Sequence, residues 1–263
     1  MSDKTPSTLI EYKAWLGDEH KCEVEKSRQY YESVTSKVQR DLENSALWQD
    51  LTNELKEFDD QYLVQTGFPL QMAGHAREMF IKPFDSFILK TYKKNILQNK
   101  RWPKEPEGGW ILPDNWFSRI NDIIRTLIVV KYLDGVQFLV DKLERFCVEK
   151  NIVSRNYFEA REDGYYAGHL YVRHTLEIPK MTWDTELIEV SIEIQITTQL
   201  QETIRRLLHK YYEQRRGRAV RDATAWQWDY KSDEFAANYL GHILHYVEGM
   251  IMEIREKQKR GPT

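Results

Sequence analysis

Apolar residues recur at helical spacing at both ends of the chain and at strand spacing in its middle. From Ser7 to about Gln65, Trp15, Leu42, Trp48, Leu51, Leu55 and Phe58 sit in charged, helix-forming sequence with no glycine between Gly17 and Gly67, which predicts two or three helices. Residues 83 to 98 predict another, with Pro83 suited to a first turn and Phe84, Phe87, Ile88 and Ile96 near one face. The segment KRWPKEPEGGWILPDNW, with its prolines and paired glycines, predicts a long loop beside a site. Ile123 to Val130 is β-branched and predicts a strand, followed by a helix from Asp134 to Glu149 carrying Val136, Leu139, Val140, Leu143 and Phe146. Two further strands, His169 to Ile178 and Leu187 to Ile196, are joined by a polar connection and fit a hairpin. In the second, Val190, Ile192, Ile194 and Ile196 alternate with Glu189, Ser191, Glu193 and Gln195, giving one oily and one polar face. A helix with Leu200, Ile204, Leu207, Leu208 and Tyr211 on one stripe follows, and a last helix runs from Asp233 to about Glu256, capped by Ser232 or Asp233.

Composition adds boundaries to this mixed picture. The 263 residues carry 38 Lys+Arg against 41 Asp+Glu, a net charge of −3, which argues against a protein that coats nucleic acid while leaving room for a local basic groove. The length suffices for a full core without disulfides or structural metal. Cys22 and Cys147 are the two cysteines, too few for a disulfide framework or a Cys-based zinc site, so a reducing cytoplasm is the expected compartment. No apolar run approaches a membrane span and the N-terminus lacks a secretory pattern, so no membrane association is expected.

Against that background a few polar residues carry candidate chemistry. Glu193 lies in mid-strand opposite an oily face, which puts its carboxylate either in solvent or in a site; taken alone, solvent is the simpler reading. Asp122 stands at the mouth of a hydrophobic strand, where an Asp is usually a turn residue. If the two strands are neighbours, the two carboxylates can meet a magnesium ion, which prefers oxygen ligands. Lys82, Ser86 and Lys90 recur every four residues and line one helix face, solvated or used as a polyphosphate cradle. The stretch Asp163-Gly164-Tyr165-Tyr166-Ala167-Gly168-His169 reads as a turn entering a strand, or as an exposed ring offered for base stacking. His242, His245 and Glu248 are spaced along the last helix without any zinc-protease pattern, so a metal trio is disfavoured.

Taken in order, these residues resemble the synthetase domain of the RelA/SpoT family of nucleotide pyrophosphokinases. The family's basic motif, Arg-x-Lys-x3-Ser-x3-Lys, is matched by Lys82, Ser86 and Lys90, with Phe80 at the place of the leading Arg. Its Asp-Leu-x-Gly-x-Arg pattern is matched at Asp122 and in hydrophobic character, with Leu127 at the place of the Arg. Asn-Gly-Tyr-x3-His is similar to Asp163-Gly164-Tyr165 and His169, and Glu-x-Gln-x-Arg-Thr to Glu193-Ile194-Gln195-Ile196-Thr197-Thr198, followed by His209-Lys210 on a helix. Thr197 replaces the Arg. The likeness covers about residues 80 to 215.

The resemblance implies an α+β fold with a central, mostly antiparallel sheet of the nucleotidyltransferase-like synthetase type, flanked by helices. It implies a helical N-terminal extension over 1–70, a pyrophosphokinase core over 71–221 and a C-terminal helix within 222–263. The implied reaction moves the β,γ-pyrophosphate of ATP to the ribose 3′-hydroxyl of GDP or GTP. Lys82, Ser86 and Lys90 would hold the ATP phosphates, Asp122 and Glu193 would hold Mg²⁺, and Glu193 would also accept, or help orient, the proton of the attacking hydroxyl. Tyr165 would stack on the acceptor base, with His169 and Gln195 as positioning residues. No His-Asp dipeptide occurs, so the hydrolase module of bifunctional members is not expected. Toxin-type members that modify the 3′ end of tRNA and are neutralised by an antitoxin protein give an alternative. Arg205, Arg206, His209, Lys210, Arg215 and Arg216, with Arg218 and Arg221 beyond them, crowd one helix and its exit and would meet RNA or phosphate in that case. A catalytically silent nucleotide- or RNA-binding module is the reading from another class; the retained Asp122 and Glu193 speak against it, because two carboxylates repel polyphosphate without metal. The helical ends are open to regulation, subunit pairing into a homo-oligomer or inhibitor binding.

Overall fold

The computed structural model describes residues 5–71, 78–181, 184–215 and 225–260. In chain order the elements are α1 (Leu9–His20), α2 (Val24–Glu43), α3 (Ala46–Thr66), β1 (Met79–Ile81), α4 (Phe84–Tyr92), α5 (Trp116–Arg119), β2 (Ile124–Val130), α6 (Leu133–Glu149), β3 (Ser154–Ala160), β4 (Tyr166–Pro179), β5 (Thr185–Thr198), α7 (Gln199–Arg215) and α8 (Asp233–Arg260). The five strands form one sheet in the order β1-β2-β5-β4-β3. The fold is therefore the expected mixture of helices around a sheet. No helix among the described residues is long and apolar enough to cross a membrane.

The backbone clusters into two compact units, one of Met1–Leu51, Met79–Thr126 and Tyr171–Glu193, the other of Thr52–Glu78, Leu127–Leu170 and Ile194–Thr263. In the first unit, Thr8 caps α1 by accepting from the Glu11 amide, and Lys21 in the left-handed region ends it. Tyr12, Leu16, Tyr31, Val34, Val38 and Leu42 from α1 and α2 bury against Phe84, Phe87, Ile88 and Tyr92 of α4 and Trp116 and Phe117 of α5. Such aromatic density makes a rigid floor, since each ring removes a large apolar area from water. Two polar residues inside it fix loops. Asn95 donates to the Tyr12 hydroxyl and to the Ile111 carbonyl and accepts from the Ile111 amide, which pins the Pro- and Gly-rich segment to the π-helical turn after α4. Tyr31 donates to the Lys82 carbonyl at 2.7 Å and so sets the end of β1 on the aromatic floor.

In the second unit α6 buries Val136, Leu139, Val140, Leu143 and Phe146, the stripe expected from its spacing. Arg255 of α8 reaches Asp134 at 3.1 Å, Tyr62 donates to the same Oδ1 at 2.7 Å, and the guanidinium lies over the rings of Phe68 and Tyr132. The carboxylate and the two rings offset part of the cost of burying this arginine, whose Nε has no hydrogen-bond partner among the described residues. Ser232 accepts from the Phe235 amide and caps α8, as expected.

Most predicted elements appear where the pattern put them. β4 and β5 form the expected hairpin, and their cross-strand contacts, Tyr166 with Thr197, Tyr171 with Glu193 and Arg173 with Glu189, run in opposite directions along the two strands. Both strands extend beyond the predicted ends, because mutual pairing satisfies the backbone of polar residues that carry no strand pattern of their own. β1 and β3 were not expected. β1 is only three residues long, and β3, Ser-Arg-Asn-Tyr-Phe-Glu-Ala, is a polar edge strand with Tyr157 and Phe158 exposed. The polar face of β5 is a further correction. Ser191 and Glu193 are each 4% exposed, as sequestered as Ile192 between them, so this part of the strand is covered on both sides and Glu193 is no solvent carboxylate.

Candidate active site

The first unit gathers the basic residues around one acid. Lys82 leaves the end of β1, its amide bonded to the Ile123 carbonyl so that the β1–β2 ladder continues past Ile81. It therefore stands before Pro83 on a strand end, and only Ser86 and Lys90 of the expected helix face lie on α4. The convergence survives the change of element. Lys82 Nζ lies 3.0 Å from Asp122 Oδ2 and Lys90 Nζ 2.8 Å from Oδ1, with Lys82 and Asp122 only 12% and 13% exposed. Lys90 approaches Oδ1 off the hydrogen-bonding direction, so that buried oxygen has an ion-pair partner and no directed hydrogen bond.

Electrostatics in this cluster are contested between burial and pairing. Burial pushes the Asp122 carboxyl up, but the two ammonium groups together outweigh it and hold the group below its usual range. At Lys82 the balance goes the other way: burial, joined by the neighbouring charges of Arg125 and Lys90, lowers the ammonium more than Asp122 raises it. Lys94 is lowered by burial, then by Lys90 and Arg119. The pocket of charge is thus over-supplied with cations.

Glu193 of β5 belongs to the same unit, and Tyr171 of β4 donates to its Oε1 at 2.9 Å. β5 adjoins β2, the arrangement on which a shared metal depends. The donor set fits Mg²⁺ in kind: carboxylate oxygens, one of them, Asp122 Oδ1, buried without a directed hydrogen bond.

In the second unit the turn before β4 builds a different network. Gly164 has φ +79°, and a Cβ there would collide with the Asn238 carbonyl, so the turn is closed to any other residue. The Tyr165 ring, expected to be exposed, is half-buried, with the Arg161 guanidinium 4.7 Å from its centroid. Arg161 is held through Nε and Nη2 by Glu159, which also meets His169 Nε2 at 3.1 Å. His169 is 2% exposed and stacks on Tyr157 with rings 4.9 Å apart, while the Tyr165 hydroxyl lies 3.4 Å from the same Nε2. Tyr165 and His169 are thus brought together, and Gln195 is half-buried on β5. Thr197, at the place of the motif's Arg, is buried and donates to the Tyr166 carbonyl.

Arg205 and Arg206 on α7 both pair with the buried Glu202, at 2.6 Å each. The backbone of His209, Lys210 and Arg215 continues α7, and their side chains, like all of Arg216, Arg218 and Arg221, lie outside the described residues. Tyr166 turns its ring onto His245, 3.7 Å away and nearly parallel, and its hydroxyl bonds His242 Nδ1. Among the described residues no group of three His, Cys, Asp or Glu is placed to hold a metal; His242 and His245 instead meet Tyr166. Sequence reasoning missed Tyr171, Glu159, Arg161 and Arg125. Arg125 alone left a signal, as the one charge inside an apolar strand; the others depend on strand pairings invisible in a linear pattern.

No protein-family model matches the chain, and no curated relative matches it. Solved structures do. The small alarmone synthetase 1 of Bacillus subtilis superposes with TM-score 0.51 at 17% identity, over 81% of this chain and 92% of that one. The same enzyme bound to its product pppGpp gives 0.51 at 19%, over 80% and 91%. A GTP pyrophosphokinase family protein from Streptococcus pneumoniae gives 0.50 at 18%, over 80% and 88%. The RelA/SpoT-type synthetase fold implied by the motifs is the fold of this chain.

Proposed function

We propose that this chain, with the fold of the small alarmone synthetases, is an ATP-dependent pyrophosphokinase that transfers the β,γ-pyrophosphate of ATP to the 3′-hydroxyl of GDP or GTP. The observation that carries the reading is the convergence of Lys82 and Lys90 on the buried Asp122. A carboxylate this sequestered needs cations, and cations this close need an anion when the carboxylate turns to another partner. In the proposed cycle the two ammonium groups exchange Asp122 for ATP phosphate oxygens, with Ser86 adding a hydroxyl one turn before Lys90. The freed Asp122, with Glu193, would hold Mg²⁺, which supplies charge neutralisation on the donor phosphates.

The acceptor 3′-oxygen attacks the β-phosphorus, the bond from the α,β-bridging oxygen to that phosphorus breaks, and AMP leaves with the bridging oxygen. Glu193 takes the hydroxyl proton, and the Tyr171 hydroxyl donating to Oε1 fixes which carboxylate edge is presented. Alignment and charge account for the rest, since phosphoryl-type transfer asks little covalent chemistry of the protein. The assignment of Tyr165, His169 and Gln195 to the acceptor rests on their motif. Its mechanical support is the Glu159–Arg161 pair, which clamps Tyr165 and His169 from below. Small alarmone synthetase 1 has been captured with pppGpp and with AMPCPP, and these ligands match the proposed product and donor.

The guanine-nucleotide acceptor is favoured over tRNA because Arg205 and Arg206, two of the cations that an RNA backbone would need, are committed to Glu202. Incubation of the protein with labelled ATP, magnesium and either GDP, GTP or bulk tRNA tests the proposal. Label in a guanosine polyphosphate supports it; label confined to tRNA replaces it with the toxin-type reaction; ATP left intact with every acceptor returns the chain to a silent binding module.

A further inference from the structure

Arg125 sits inside Ile-Arg-Thr-Leu-Ile-Val-Val, where an arginine costs the strand apolar packing and calls for a reason. The ladder supplies the geometry. Phe80 of β1 lies directly opposite Arg125 of β2, Ile81 opposite Ile124, and Met79 opposite Thr126. Residues opposite one another in an antiparallel pair project from the same face, and every second residue returns to it. Met79, Ile124 and Thr126 are buried, so they mark the core face. Phe80, at 46% exposure, and the half-buried Arg125 mark the other, and the continuing ladder returns Lys82 to that same face. Arg125 is near enough that its charge depresses the Lys82 ammonium.

The charges do not balance. Lys82, Lys90, Lys94 and Arg125 crowd one another, and Asp122 is already shared by two of them. Among the described residues no carboxylate or carbonyl bonds Arg125. A guanidinium cannot shed its proton to relieve repulsion as a lysine can, and its planar fork matches two phosphate oxygens at once. We infer that Arg125 is a phosphate ligand of the polyphosphate site, delivered from β2 to the spot on the sheet face where the resembling motif carries an arginine on β1, here Phe80. This inference rests on the ATP reading of the cradle. The chain has moved the guanidinium one strand sideways, which keeps the cation and gives position 80 an apolar ring.

Calorimetric titration of the full chain with AMPCPP and with inorganic tripolyphosphate tests this directly, with magnesium present. Arg125→Gln should weaken both ligands by about tenfold or more, the scale of a lost charge-assisted contact. Phe80→Arg added to Arg125→Gln should recover most of that loss, because opposite positions on paired strands deliver a side chain to one place. Binding of AMPCPP within about threefold of wild type in Arg125→Gln, a threshold of well under 1 kcal/mol, overturns the inference. So does weakened AMPCPP with unchanged tripolyphosphate, which would mean that Arg125 reads the base, and so does a double variant no better than the single. Lys90→Ala separates the two levels. If it weakens AMPCPP while Arg125→Gln does not, the cradle stands and Arg125 is no part of it; if neither variant matters, the ATP site itself lies elsewhere.

Discussion

Asp122 and Glu248 are both carboxylates withdrawn from water, and they come to opposite ends. Asp122 in the first unit is met by Lys82 and Lys90 and is held below the usual carboxylate range, although its burial pulls the other way. Glu248 in the second unit is 4% exposed, neither oxygen has a hydrogen-bond partner among the described residues, and burial lifts it to about 7. Its ionic neighbour among the described residues, His245 at 3.7 Å, is itself lowered by burial and so contributes little positive charge near neutrality. Burial is common to both sites; what separates them is whether cations accompany the acid. An acid kept charged in a half-dry place holds an electrostatic arrangement that a ligand can rearrange, whereas an acid left alone takes a proton and becomes packing.

The largest effect expected on the charged side of this comparison is at Glu193. Glu193→Gln keeps the shape but removes the proton acceptor and a proposed metal ligand, so transfer from ATP should fall by at least about 100-fold with the melting temperature little changed. A rate within about threefold of wild type would remove Glu193 from the chemistry. Next comes Lys90→Ala, which leaves Asp122 with one cation and should raise the ATP concentration needed for half-maximal rate by about tenfold, the value of one charge-assisted contact. An unchanged ATP requirement with a lower maximal rate would show that Lys90 serves the transition state alone.

The protonated side of the comparison is tested by pH. The folded-state value for Glu248 lies above its ordinary 4.5, so the folded chain binds the proton more tightly and loses stability as pH rises from there through about 7. Unfolding free energy should therefore drop between pH 5 and 8 by about 2 kcal/mol, after an allowance for partial solvent screening. Glu248→Gln should flatten that slope; a slope unaltered in the variant assigns it to other groups. Asp122 contributes with the opposite sign, adding stability above its ordinary 3.8 that is lost as pH falls through its lower folded value. The smallest effect belongs to Arg206, exposed at 64% and one of two partners of Glu202. Arg206→Ala should change stability by no more than about 0.5 kcal/mol in denaturant melts, because Arg205 still neutralises the acid.

Much of this was legible because it was periodic. The β5 alternation and the α6 stripe each repeat a simple interval, and the packed core selects that interval. Lys82, Ser86 and Lys90 were found through a helical interval although Lys82 lies on a strand end, since a strand running into a helix across Pro83 still brings positions 82 and 90 to one acid. What stayed hidden was pairing. Nothing in a linear reading couples Tyr171 to Glu193 or Phe80 to Arg125, because those relations are set by strand register. β3 escaped for a related reason: an edge strand needs no apolar alternation when its neighbour supplies the hydrogen bonds.

Gly164 and Gly241 press together backbone to backbone: a Cβ on Gly164 would strike the Asn238 carbonyl, and a Cβ on Gly241 would come within 2.5 Å of the Gly164 carbonyl. In a deep mutational library these two positions would form an unusual pair. Elsewhere in a packed interior an enlarged residue can be accommodated by shrinking its neighbour, which is how lineages drift through alternative packings. Here neither partner has a side chain left to trim, so no second-site change of residue size can rescue an alanine at either position. The turn that presents Tyr165 and the helix beneath it are therefore tied into one heritable unit, free to vary around their junction and unable to vary at it.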